Sequence, residues 1–260
     1  MVATKIRYHA AMTVEATHGT TSPPIWKEAL WPVDWLTLRM SPVYYGLGVP
    51  RGDGSPVVLV PGFMGTDIYL SEMYMWLARV GYRPYMSGIG LNAECPGRLT
   101  GKLIRTIDRA HQETGKRVRL VGHSLGGVLA RKACLQRPES VSQLIYLGSP
   151  VQAVHAHPVV VTAAAVMQAA REIVSGKQED CLTEDCRCGF SHDVLLPLPR
   201  HLRHAAIYTR ADGVVDWHDS QERNMRLNHE VGGTHIGLVF NPRAYRVVGE
   251  LLARPEKGSP

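Results

Sequence analysis

Three kinds of side chain in this sequence could do chemistry together: the alcohol of Ser124, an acid at Asp212 or Asp216, and the imidazole of His235. Ser124 lies within Arg119-Leu120-Val121-Gly122-His123-Ser124-Leu125-Gly126-Gly127. Val118, Leu120 and Val121 read as a short buried strand, and Leu125, Val128, Leu129, Ala130, Ala133, Cys134 and Leu135 supply an apolar helical face. Gly122 and Gly126 flank the serine at the positions where a tight strand-to-helix turn leaves no room for a side chain. In such a turn Ser124 takes a strained conformation that lifts its hydroxyl clear of the sheet, as a nucleophile requires.

A serine hydroxyl is a poor nucleophile until a base within hydrogen-bond reach takes its proton, and that base needs a third group to fix its tautomer. Asp212 and Asp216 both lie on the loop Thr209-Arg210-Ala211-Asp212-Gly213-Val214-Val215-Asp216, past the predicted strand Ala205 to Tyr208. His235 follows in Gly232-Gly233-Thr234-His235, on a glycine-rich loop. Of the 12 histidines most must be bystanders. His123 is held inside the turn with its side chain expected to point away from Ser124, and His218 and His229 are expected on solvated loops. Charge that develops on a carbonyl oxygen needs fixed donors. The backbone N–H groups of Leu125 and of Phe63, in Pro61-Gly62-Phe63-Met64-Gly65, are the candidates for that oxyanion hole.

The elements that must position these residues alternate along the chain. Val57-Val58-Leu59-Val60 is apolar on both faces and belongs in the middle of a covered sheet. A helix is expected over about Asp67 to Val80, a strand over Arg83 to Met86 and a helix from about Leu99 to Thr114. The turn strand and its helix come next, then strands at Leu144 to Leu147 and Ala205 to Tyr208. Gly237 to Phe240 leads to a last helix over about Pro242 to Ala253. Such alternation predicts an α/β fold, a mostly parallel sheet with right-handed crossovers and helices on both faces.

The interval 151–200 breaks the pattern and is expected to be a helical cap (lid) insert, with Val159 to Val174 apolar nearly all round. Within it Cys181, Cys186 and Cys188 lie near His192, and a disulfide, free thiols or a zinc clip are open readings. Residues 1–50 are expected to form an arm and a segment rich in aromatics, Trp26, Trp31 and Trp35, that packs on the core at 51–150 and 201–260. The same aromatics could contact a lipid surface. Pro32 would interrupt one helix there unless it opens a second.

The chain of 260 residues suits one such domain, and its net charge of +6 is scattered. Nucleic-acid binding is not expected, because a phosphate footprint needs clustered charge. No apolar run nears the ~20 residues that cross a bilayer. No leader pattern is read at the start, and 5 cysteines fit a reducing compartment, so cytoplasmic residence is the expectation.

On the blocks Val58 to Gly65, Val118 to Gly127, Ile207 to Trp217 and Gly233 to Phe240, the chain resembles α/β-hydrolases of the bacterial lipase and esterase type, those with a Pro-Gly-Phe oxyanion loop. That resemblance implies the α/β-hydrolase fold and a Ser124–His235–Asp212 triad, with Asp212 favoured over Asp216 because the family places its acid directly after the strand. It also implies neither metal nor organic cofactor, and cleavage of small-molecule carboxylic esters or lipids through an acyl-enzyme. Two alternatives stay open: an acyltransferase that hands the acyl group to an alcohol or amine, and a non-catalytic binding protein on the same fold. Oligomeric state is not legible.

Overall fold

The computed structural model describes residues 23–152 and 196–255, with 14–16, 154–156, 162, 163, 165, 166, 190 and 194 between or before them. Among the described residues eight strands are assigned: β1 (Val14–Ala16), β2 (Pro56–Val60), β3 (Arg83–Met86), β4 (Val118–His123), β5 (Val141–Leu147), β6 (Val154–Ala156), β7 (Arg203–Tyr208) and β8 (Asn228–Glu230). Six of them form one sheet in the order β3-β2-β4-β5-β7-β8, every neighbouring pair parallel, and β1 pairs with β6 separately. The α-helices bounded within the described residues are α1 (Trp31–Met40), α2 (Ser71–Val80), α3 (Pro96–Thr114), α4 (Leu125–Gln136) and α5 (Pro242–Leu252).

The central strands are apolar on both faces because both faces are covered. Side chains alternate across a strand. Val57, Leu59, Val121, Ile145 and Ile207 pack on one side with Leu38 of α1, Met73, Trp76 and Leu77 of α2, and Tyr245, Val248 and Leu252 of α5. Val58, Val60, Leu120, Leu144 and Tyr146 point the other way, onto Leu99, Leu103 and Ile107 of α3 and Val128, Leu129 and Ala133 of α4. The strands and helices expected from the sequence are present with ends shifted by a few residues. Asp67–Leu70 is a 3₁₀ helix and α2 proper starts at Ser71, whereas α3 starts at Pro96, a turn earlier than expected, because proline suits the first helical position.

Near the start of the chain a short 3₁₀ helix, Ile25–Leu30, runs directly into α1, with Pro32 in the first turn of α1. That is the arrangement in which the proline costs no hydrogen bond. The segment is pinned to the body by Glu72 of α2, which accepts hydrogen bonds from Trp35 Nε1 at 3.0 Å and Tyr44 Oη at 2.6 Å and pairs with Arg39. Trp35 packs on the core and Trp31 lies 5.4 Å from the Phe240 ring, whereas Trp26 is exposed.

Strand β8 corrects the expectation for His229. It belongs to a half-buried edge strand, not a solvated loop, and burial moves its imidazole below the ordinary histidine value. Most of 151–200 lies outside the described residues, including the run Val159 to Val174 apart from 162, 163, 165 and 166, which are helical, and Cys181, Cys186, Cys188 and His192.

Candidate active site

Ser124 joins β4 to α4 with φ 53° and ψ −129°, and its backbone N–H donates to Leu147 O at 2.9 Å. Ser124 and Met64 are the two non-glycine residues with positive φ among those described, and both are at this site. Strain of that kind costs on the order of 1–3 kcal/mol and persists only where packing imposes it. The flanking glycines show how it is imposed. A Cβ on Gly126 would lie 2.3 Å from Val60 O, and one on Gly122 would lie 2.4 Å from Gly127 Cα. Neither contact can be relieved without moving backbone, so the turn closes only with glycine at both places.

The Pro61–Gly65 loop approaches the serine from β2. A Cβ on Gly62 would meet Ser124 Cβ at 2.9 Å, so no other residue allows the two backbones to come this close. Asn92 holds the loop from behind: its Nδ2 donates to Pro61 O at 2.7 Å, and its carbonyl accepts from Met64 N–H at 2.9 Å. Gly62 N–H donates to Tyr69 Oη at 3.1 Å. With Gly62 and Met64 engaged, the Phe63 N–H between them makes no hydrogen bond among the described residues. Neither does the Leu125 N–H at the start of α4, one of the donors that a helix leaves unpaired.

Asp212 and His235 meet in the interior. His235 Nδ1–H donates to Asp212 Oδ2 at 2.7 Å, with both side chains buried. Asp212 Oδ1 accepts from Val214 and Val215 N–H at 2.9 and 2.8 Å, which fixes the carboxylate as an acceptor. Gly148, at the end of β5 with φ 56°, leaves the space for them: a Cβ there would lie 3.3 Å from His235 Nδ1 and 3.5 Å from Asp212 Oδ2. Burial pulls the His235 imidazole down, but the Asp212 carboxylate, through charge and hydrogen bond, and then Glu28 outweigh it, and the ring titrates above its ordinary 6.5. Asp216 accepts instead from His218 N–H and His218 Nδ1, at 3.0 and 2.7 Å, capping its own loop.

The His123 side chain, expected to lie idle, is built into the site. Tyr69 Oη accepts from Gly62 N–H, so its own proton goes to His123 Nδ1, and His123 Nε2–H donates to the carbonyl of His235 at 3.0 Å. Burial and the neighbouring His235 push His123 far below the ordinary histidine value, which suits this neutral tautomer. The two imidazoles stand 4.7 Å apart, placing the His235 ring beside the residue that precedes Ser124. Ser124 Oγ and His235 Nε2 do not hydrogen-bond each other, so the arrangement stops one contact short of a closed relay.

Nothing in the spacing of the sequence pointed to Glu28, Tyr69 or Asn92. Each acts through a long-range contact that no local pattern encodes, although Asn92 does adjoin the glycine-rich loop that follows β3.

Residues 98–182, which contain β4, the turn and α4, match the PGAP1-like alpha/beta domain family. A triacylglycerol lipase of Burkholderia plantarii is 26% identical over 124 residues. That match covers 44% of this chain and 35% of the lipase, so the chain spans about a third of its relative. The mature form of Bacillus licheniformis lipase BlEst2 superposes with a TM-score of 0.56 at 16% identity, over 79% of this chain and 94% of that one. The carboxylesterase CesB from Bacillus subtilis superposes with a TM-score of 0.51 at 13% identity, over 89% of this chain and all (100%) of that one. The chain has the α/β-hydrolase fold. Its parallel sheet, with helices on both faces and the serine turn at the carboxyl end of a central strand, is the α/β-hydrolase arrangement.

Proposed function

We propose that this α/β-hydrolase-fold chain is a serine ester hydrolase, with Ser124 as nucleophile, His235 as general base and then acid, and Asp212 as the group that orients and charges the imidazole. The observation that carries the reading is the buried Asp212–His235 pair beside a serine held at positive φ. His235 Nε2 takes the Ser124 proton as Oγ attacks the ester carbonyl. The oxyanion turns to the Phe63 and Leu125 N–H groups, each worth on the order of 3 kcal/mol in the transition state. Collapse expels the alcohol, protonated by His235, and water repeats the sequence on the acyl-enzyme. The one missing contact, between Oγ and Nε2, is of the kind that tightens when substrate binds.

The substrate class is carboxylic esters with apolar acyl groups, in keeping with the triacylglycerol lipase relative and the apolar run at Val159 to Val174. No step in this scheme draws on a metal or cofactor. Among the described residues no helix is long and apolar enough to cross a membrane. Replacing Ser124 with Ala is expected to lower kcat on p-nitrophenyl esters by about a millionfold. Hydrolysis at the wild-type rate by a folded S124A protein would refute the assignment.

A further inference from the structure

Glu28 lies more than 180 positions from the loops it touches, and it is 5% exposed. Its Oε1 accepts from Gly213 N–H at 2.9 Å, the residue after Asp212, and from His235 N–H at 3.1 Å. Its Oε2 accepts from Ile236 N–H at 2.8 Å. One carboxylate therefore spans the loop that carries the acid and the loop that carries the base. Three donors to one anion make a strong, directional set. No lysine or arginine pairs with Glu28 among the described residues, and its charge acts on the His235 imidazole.

We propose that Glu28 is a positioning residue, locking the Asp212 and His235 loops into one unit and supplying a second negative charge to the imidazolium that forms when Ser124 is deprotonated. The inference rests on the triad reading above. The energetics favour it over a purely structural tie. Burying a carboxylate costs several kcal/mol before its hydrogen bonds are counted, and an ion pair of its own would offset part of that cost. Glu72 of α2, in contact with the same segment, has such a pair in Arg39. Glu28 is held by three backbone N–H donors and by no cation among the described residues.

Other groups face the ring as well. Asp212 comes from the acid loop, His123 from the end of β4, and Tyr69 acts through His123. Asp34 of α1 lies against the histidine loop, where a Cβ on Gly237 would fall 2.0 Å from its Oδ2. Burial and then Glu28 raise the Asp34 carboxyl above the ordinary carboxylate value.

The test is Glu28→Gln, with Glu28→Asp as the variant that keeps the charge. Gln keeps the shape and one acceptor oxygen but loses the charge and turns an N–H toward a donor. Per active site titrated with a fluorophosphonate, E28Q is expected to lose about 10- to 100-fold in kcat. The acid limb of its kcat/KM profile should move down by about 0.5–1 pH unit, while E28D keeps the limb in place. A wild-type limb and kcat in E28Q would overturn the proposal. NMR titration of the His235 ring in wild type and E28Q reads the same charge without turnover. If the wild-type protein hydrolyses no ester, the triad reading fails, and the ring titration still decides Glu28. Should E28Q not fold, amide exchange in the wild type decides: protection at Gly213, His235 and Ile236 supports the clamp, and exchange at open-loop rates refutes it.

Discussion

The two rims of the sheet handle polar groups in opposite ways. At the amino ends of the strands Arg119 is buried with both terminal nitrogens engaged: it donates to Leu252 O at the end of α5 at 3.0 Å and to Asp53 Oδ2 at 2.9 Å, while its Nε makes no hydrogen bond among the described residues. Gln143 likewise donates to Leu251 O at 3.0 Å. Here a cation meets a helix carbonyl and a carboxylate, an arrangement that stabilises and leaves no group poised to react. At the carboxyl ends the pattern reverses. Two non-glycine residues hold positive φ, two N–H groups wait without partners, and Glu28 and Asp212 surround a single titratable ring. One rim pairs its buried charge, and the other holds strained backbone and closely set carboxylates beside an imidazole.

Ser124→Gly cuts hardest into that contrast. It is expected to lose activity by at least 10⁵-fold, as removal of a serine nucleophile does, and yet to raise the unfolding free energy by about 1 kcal/mol, because glycine relieves the strained φ. Denaturant melts set beside ester assays check both signs, and a destabilised S124G would mean that the turn is not strained. Next in size, Asp212→Asn is expected to lower kcat by about 10⁴-fold through the wrong histidine tautomer. Asp216→Asn should stay within a few-fold. Equal losses in the two variants would place the acid elsewhere.

The pH profile is the third test. His235 must be neutral to accept a proton, and its pKa is raised, so kcat/KM should climb through a limb lying above 6.5. The sign for stability is opposite: the protonated ring contributes fully below its unfolded value, and that contribution fades as pH rises through the folded one. A limb below 6.5 would contradict both. The smallest effect on turnover belongs to the amino rim. Arg119→Met should cost about 1–3 kcal/mol in urea unfolding, by unpairing buried acceptors, with kcat per folded molecule unchanged. Loss of kcat in R119M at full folding would erase the division between the rims.

How much of this could be read from the residues follows the same division between local and distant. The turn at Ser124 was legible because glycine spacing and the flanking apolar runs are local consequences of one tight connection. The run Val57 to Val60 was legible because a strand covered on both faces has no polar alternation. Strand β8 was not, since Asn228-His229-Glu230 is polar and becomes a strand only through its pairing with Ala206 to Tyr208. The sheet order was not legible either. Glu28 escaped because it looks like one charge in an apolar stretch, and its meaning comes from loops 185 and 207 positions away. His123 was legible as a turn residue but not as a donor to the His235 carbonyl.

The most direct measurement of the central claim is labelling with a fluorophosphonate, followed by peptide mapping of the adduct. The account predicts one adduct, on Ser124, that forms in the native protein, disappears on denaturation and slows by several orders of magnitude in H235A. An adduct on another residue, or labelling of Ser124 that H235A leaves at the wild-type rate, would contradict it.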